Sequence, residues 1–197
     1  MKTAAKIGIA VAAAALILVA SVGIGSVRLS PTQVVEILMS RLPGGGAAEV
    51  DANLASIVWG MRLPRAVLAF LCGAALSASG TVMQSILKNP LASSYTLGVS
   101  SGASLCAAIV MVTGITIPFL GMFTLPAAGF LGGLATVFLA LAFASRLDGK
   151  MENQTVILVG MVFSLFVNAI LTLVTALARE HLQQMVFWQM GSFSGRN

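Results

Sequence analysis

Residues 66–87 read AVLAFLCGAALSASGTVMQSIL, and this stretch decides the fold class. It holds no Asp, Glu, Lys, Arg or His. As a helix its 22 residues extend ~33 Å, enough to cross the ~30 Å hydrocarbon core of a bilayer. Four further runs carry no formal charge: 7–27, 96–112, 124–144 and 155–177. The one at 96–112 is the shortest. Every ionisable Asp, Glu, Lys, Arg and His lies between the runs or at the ends, as the cost of charge in hydrocarbon requires. Backbone groups in lipid must pair within the chain, so the runs are expected to be helices. Strict alternation with period two is absent, which argues against an outer-membrane barrel.

Composition agrees. The 197 residues are 58% hydrophobic and 9% charged, against about 25% charged in soluble domains. Mean hydropathy is +0.99. The net charge of +5 comes from scattered loop residues without interleaved aromatics, so no nucleic-acid partner is expected. Cys72 and Cys106 both fall inside runs and read as small packing residues. The expected fold is an all-α integral membrane protein of about five transmembrane helices, with short interfacial amphipathic helices between them.

Lys2 and Lys6 precede the first run. That run is longer than the ~7–15 apolar residues of a cleaved signal peptide, so a retained helix is favoured. The two lysines favour an inside N-terminus. Five spans then leave five Lys and Arg inside and six outside, so charge alone does not orient the chain. The outside arginines call for another explanation.

Ser30-Pro31 reads as a helix start with proline at its first position. Val34, Val35, Leu38 and Leu42 follow at helical spacing, and Pro43 with Gly44, Gly45 and Gly46 ends the segment. A second amphipathic piece carries Leu182, Met185, Val186 and Gln189, beside Phe187 and Trp188. Interfacial anchoring and a functional role are both open for the two pieces. Small residues recur at packing intervals: Gly73, Ser77, Gly80 and Gln84 on one helix, Gly98 with Gly102, and Gly129 with Gly133. Such faces allow close helix approach. The polar, glycine-rich start of the third span follows Pro90, which breaks the preceding helix. Gln84, Gly98, Ser100, Ser101 and Gly102 are the candidates for pathway lining or helix packing, because irregular backbone at membrane depth is tolerated beside protein or a cavity.

No P-loop, carboxylate pair, catalytic triad or metal-ligand spacing occurs. His181 stands alone outside the spans. No catalytic residue, metal site or cofactor is expected in this chain. Without ionisable groups in the spans, ion-coupled transport is disfavoured, and energy for any pumping would come from another subunit.

One ordered block carries a resemblance: Arg62-Leu63-Pro64-Arg65, Gly73-Ala74-Ala75-Leu76, Ser79-Gly80, Met83-Gln84, Asn89-Pro90-Leu91-Ala92 and Leu97-Gly98-Val99-Ser100-Ser101-Gly102-Ala103. Trp188-Gln189-Met190-Gly191-Ser192-Phe193 continues it. The block resembles the FecCD family of ABC-transporter permeases, which import iron-siderophores, haem and cobalamin. The first helix and residues 44–48 match least. The resemblance implies an inside N-terminus in a bacterial or archaeal inner membrane. It implies a second permease subunit (the same or a different chain), cytoplasmic ATPase subunits that bind ATP and Mg, and an extracytoplasmic substrate-binding protein. Iron chelates are the implied cargo, with haem or cobalamin as alternatives.

The resemblance also implies site residues. Arg62 and Arg65 would dock carboxylates of the binding protein, charge-assisted forks being suited to that task; helix capping and phospholipid contact are the competing roles. Asn89, Pro90 and Leu91, with Asn153, Gln154 and Thr155, would form a cytoplasmic gate. Family members have about ten spans, so residues 1–197 read as the N-terminal portion of a single permease domain, truncated from a ten-span bundle. A fragment, a split subunit and a non-transporting remnant all remain open on the sequence.

Overall fold

The computed structural model describes residues 2–25, 27–41 and 51–192. Leu42, Pro43, Gly44, Gly45, Gly46 and Phe193 lie outside the described residues. Among the described residues the regular structure is helical, with no strand. Four helices are long and apolar enough to cross a membrane: Thr3–Gly23, Ala52–Ile86, Gly121–Leu147 and Asn153–Leu177. Val99–Thr113 is apolar but shorter. Residues cluster into two compact units, one including 1–75 and the other 76–192.

In the first unit α1 is Lys2–Gly23 and α2 is Pro31–Met39. Ser30 caps α2 as its sequence promised: its hydroxyl accepts the Gln33 amide, and the Gln33 side chain returns to the Ser30 amide. This reciprocal pairing satisfies two donors that a helix start leaves open. Val34 and Ile37 are buried, whereas Val35 is exposed. Val34 and Leu38 of the expected stripe pack on the core, and Ile37 takes the place expected for Val35. Val22, Leu29, Val34, Ile37 and Val58 form the core of this unit.

The third helix, α3, runs continuously over Ala52–Ile86. This corrects the expected start at 66, with Arg62-Leu63-Pro64-Arg65 in an outside loop. Those four residues are helical. A π-turn at Val58–Arg62 explains how proline is tolerated there. The Leu63 amide reaches back five residues to the Val58 carbonyl. The widened turn relieves the crowding that a proline ring imposes on the preceding turn, and Pro64 has no amide to satisfy.

The second unit contains α4 (Val99–Thr113), α5 (Thr124–Leu147), α6 (Asn153–Leu177) and α7 (Leu182–Met190). Backbones of α4 and α5 touch through glycine. A Cβ on Gly102 would overlap the Thr136 hydroxyl and lie 2.6 Å from the Gly132 carbonyl oxygen. One on Gly132 would lie 2.5 Å from both the Gly102 carbonyl oxygen and Cys106 Sγ. Cys106 is thus a packing residue. Gly129 receives the Trp188 ring, which brings α7 onto α5. By contrast, a Cβ on Gly73 or on Gly80 of α3 would meet no atom within 4 Å.

Helix α4 has only 15 residues against 24 in α5. Residues 87–98 take up the difference as irregular backbone. They end in a 3-10 turn, Ser94–Leu97, and in Gly98 at φ 75°. A Cβ on Gly160 would lie 2.6 Å from the Thr96 carbonyl. Gly160 is seven residues beyond Asn153, so this non-helical segment penetrates ~10 Å along α6.

Gly102→Leu should destabilise the protein by about 3 kcal/mol or more, because the side chain has backbone on its far side and nowhere to relax. Gly73→Leu should change stability by less than about 0.5 kcal/mol. Reversible unfolding in mixed micelles measures both.

Candidate functional site

Two turns meet at one end of the second unit. The first follows α3. Lys88 adopts φ 47°, and the Asn89 amide donates back to the Gln84 carbonyl at 3.2 Å. This is the Schellman closure, with lysine at the left-handed position glycine usually takes. The Asn89 carboxamide oxygen accepts the Leu91 amide at 2.9 Å, and the Asn89 carbonyl accepts the Ala92 amide at 3.1 Å. Gln84 Nε2 donates to the Pro90 carbonyl at 3.2 Å. Gln84 therefore ties down the turn that presents Leu91, whose side chain is 84% exposed.

The second turn joins α5 to α6. The Asp148 carboxylate accepts the Glu152 amide at 2.8 Å and the Lys150 amide at 3.0 Å. Those bonds, the Glu152 one first, hold its pKa below the ordinary 3.8, with the Thr155 hydroxyl adding to the effect and slight desolvation opposing it. Met151 sits at φ 52° within this turn. Asn153 and Thr155 are half-buried and Gln154 is exposed. Leu87, Ala92 and Leu97 from the first turn share one buried cluster with Ala144 and Val156, which flank the second. The two segments singled out from the sequence are thus neighbours. Asp148, which organises the second, was not among the residues singled out.

The other candidates separate. Gly98, Ser101 and Gly102 are buried while Ser100 is exposed. Ser101 Oγ donates to the Gly98 carbonyl at 2.9 Å and lies 3.3 Å from Ser164 Oγ. These three residues occupy helix contacts.

Arg62 and Arg65 face different circumstances. Arg62 Nη1 donates to the Val22 and Gly23 carbonyls at 3.0 and 3.3 Å, and Nη2 donates to the Val27 carbonyl. Arg62 therefore satisfies the acceptors that the end of α1 leaves open. A Cβ on Gly25 would lie 2.6 Å from Nη2, so a side chain there would push the guanidinium aside. Arg65 is half-buried, and its Nε has no hydrogen-bond partner among the described residues.

A feature that pattern reading missed lies along α6. Asn168, Thr172, Thr175, Arg179 and Gln189 line a groove of about 630 Å³ between α6 and α7. The Thr172 and Thr175 hydroxyls donate to the carbonyls of Asn168 and Leu171. The Asn168 carboxamide has no partner among the described residues. The i, i+4 spacing of Ser164, Asn168 and Thr172 was the available signal. It was weak because hydrophobic neighbours dominate the run.

Apolar helices of spanning length, an irregular segment packed along α6 and a groove that carries Asn168, Thr172, Thr175 and Arg179 define a multi-pass helical membrane protein. Comparison with known proteins places it further. The FecCD transport family model matches residues 13–197. An uncharacterized ABC transporter permease, YvrB of Bacillus subtilis (strain 168), is 38% identical over 92% of this chain and 52% of its own length. The molybdate import permease MolB of Haemophilus influenzae is 34% identical over 91% of the chain and 51% of its own length. A solved structure described as an inward-facing metal-chelate type ABC transporter superposes with a TM-score of 0.74 at 28% identity, covering 96% of this chain and 54% of that one. The chain belongs to the FecCD transport family. It spans about half the length of the curated relatives it matches.

Because the folded pKa of Asp148 is depressed, its contribution is present above the ordinary carboxylate value and is lost as pH falls through the lowered one. Acidification below about 3.8 should shift the Lys150 and Glu152 amide resonances. In Asp148→Asn those resonances should no longer titrate. Arg62→Lys should speed hydrogen exchange at the Ile24 and Leu29 amides by about tenfold or more, as expected when charge-assisted bonds are lost.

Proposed function

We propose that this chain is the N-terminal portion of a single transmembrane permease domain in a binding-protein-dependent ABC importer of iron chelates. Family membership supports the permease role. The likeness to a metal-chelate type transporter over 96% of the chain is the observation that carries the cargo class. The remaining spans, a second permease subunit, cytoplasmic ATPases and an extracytoplasmic binding protein complete the assembly in this reading. The N-terminus lies in the cytoplasm.

The described geometry supports particular roles. The groove at Asn168, Thr172 and Thr175 places uncharged polar groups on a membrane-spanning helix. A polar group at that depth is stable facing protein or a water-filled path, not lipid. This suits a bulky chelate that needs passage without tight binding. The neighbouring turns at Asn89-Pro90-Leu91 and Asn153-Gln154-Thr155 would form the cytoplasmic gate. Leu91 projects from its turn, and its counterpart in a second subunit would close against it. Docking of the binding protein falls to Arg65, because the Arg62 guanidinium is engaged at the end of α1.

The assembled transporter with ATPase and binding protein, in proteoliposomes, tests the cargo. Ferric siderophore should accumulate with ATP, while haem, cobalamin and molybdate should not. Uptake of one of those three in place of ferric siderophore would refute the cargo class. For the gate, Leu91→Cys should form a disulfide across the permease dimer in one nucleotide state only. Failure to cross-link in every nucleotide state would rule out a gate at Leu91. Arg65→Glu should reduce binding-protein affinity by roughly tenfold or more while membrane insertion is unchanged.

A further inference from the structure

The first unit holds a groove that the transport reading does not use. Its volume is about 720 Å³, and it runs along α1 into the following loop. Leu16, Val19, Ala20 and Ile24 line it together with Arg28 from the following loop. No acidic residue lines it. Arg28 is exposed and makes no hydrogen bond or ion pair among the described residues. Arg62, close by, is engaged with three carbonyls.

Depth gives these residues meaning. The charge-free part of α1 after Lys6, residues 7–23, extends ~26 Å, most of the ~30 Å hydrocarbon core. Its last residue, Gly23, therefore lies near one boundary of the core. Arg28, five residues further, falls at headgroup level. From Ile24 back to Leu16 the groove descends ~12 Å into the apolar layer. A cation at the headgroup plane joined to an apolar channel below it is complementary to a lipid with an anionic phosphate and an acyl chain. A free anion would fit only the arginine, and a neutral hydrocarbon only the channel.

We propose that this groove binds one anionic phospholipid, with its phosphate on Arg28 and an acyl chain against Leu16, Val19 and Ala20. The lipid would hold the outer end of α1 beside α2, where Leu29 and Val34 close the core of the unit.

The test is lipid retention by the full transporter in nanodiscs of mixed phosphatidylglycerol and phosphatidylcholine, read by native mass spectrometry after extraction. The wild-type protein should retain phosphatidylglycerol in preference. Arg28→Gln should lower that preference about fivefold, the size expected for one arginine at a charged membrane surface. Arg28→Lys should largely restore it. Ala20→Phe, which narrows the channel and leaves Arg28 intact, should also reduce retention; circular dichroism checks that each variant remains helical. Equal retention by wild type and Arg28→Gln would overturn the proposal. So would displacement of the lipid by millimolar inorganic phosphate, which would reduce the site to an anion contact, or equal retention of phosphatidylcholine. Each readout is independent of transport.

Discussion

Close backbone approach at Gly102 and Gly132 sets the architecture of the second unit. Lipid is as apolar as the side chains, so no hydrophobic gain drives one membrane helix onto another. Association rests on dispersion at short range, and that needs atoms within contact distance. Glycine permits the α4 and α5 backbones to meet, with Gly102 against Gly132 and Thr136. Ser101 meets Ser164 of α6 on an adjoining part of α4. The same logic seats Trp188 of α7 on Gly129. Once these contacts hold, α6 and α7 have positions, and the polar groove between them has walls.

The short α4 follows from the same arrangement. Irregular backbone cannot face lipid, yet residues 87–98 reach ~10 Å along α6. Gly160 lets the Thr96 carbonyl approach, and the buried Leu87, Ala92 and Leu97 anchor the segment against Ala144 and Val156. This cluster brings together two turns that are some sixty residues apart in sequence. Their own hydrogen bonds are local. Asn89 and Asp148 each organise a turn by accepting nearby amides, a task for which short polar side chains are suited.

In the first unit an arginine takes the structural role. The end of α1 leaves carbonyls without intrahelical partners. Arg62 delivers several donors from one planar group to Val22, Gly23 and Val27. The π-turn before Leu63 accommodates Pro64 and keeps α3 continuous through the Arg62-Leu63-Pro64-Arg65 motif. Two arginines three residues apart therefore differ in availability.

Much of this was legible in sequence. Uncharged runs of spanning length can only be helices in lipid, and Ser30-Pro31 marked the start of α2 because capping is local chemistry. The ordered block from Arg62 to Ala103 marked the family. What escaped was what depends on neighbours distant in the chain. A proline between two arginines read as a loop, since nothing local reveals a π-turn. Val35 and Ile37 exchanged places because the buried face is chosen by where α1 ends. Asp148 and Asn168 were ordinary polar residues until their surroundings were known. Sequence by itself determined which segments could enter the membrane, because transfer free energy sums along the chain. Tertiary structure alone decided which polar groups are left free, because that depends on which carbonyls and amides folding brings within reach.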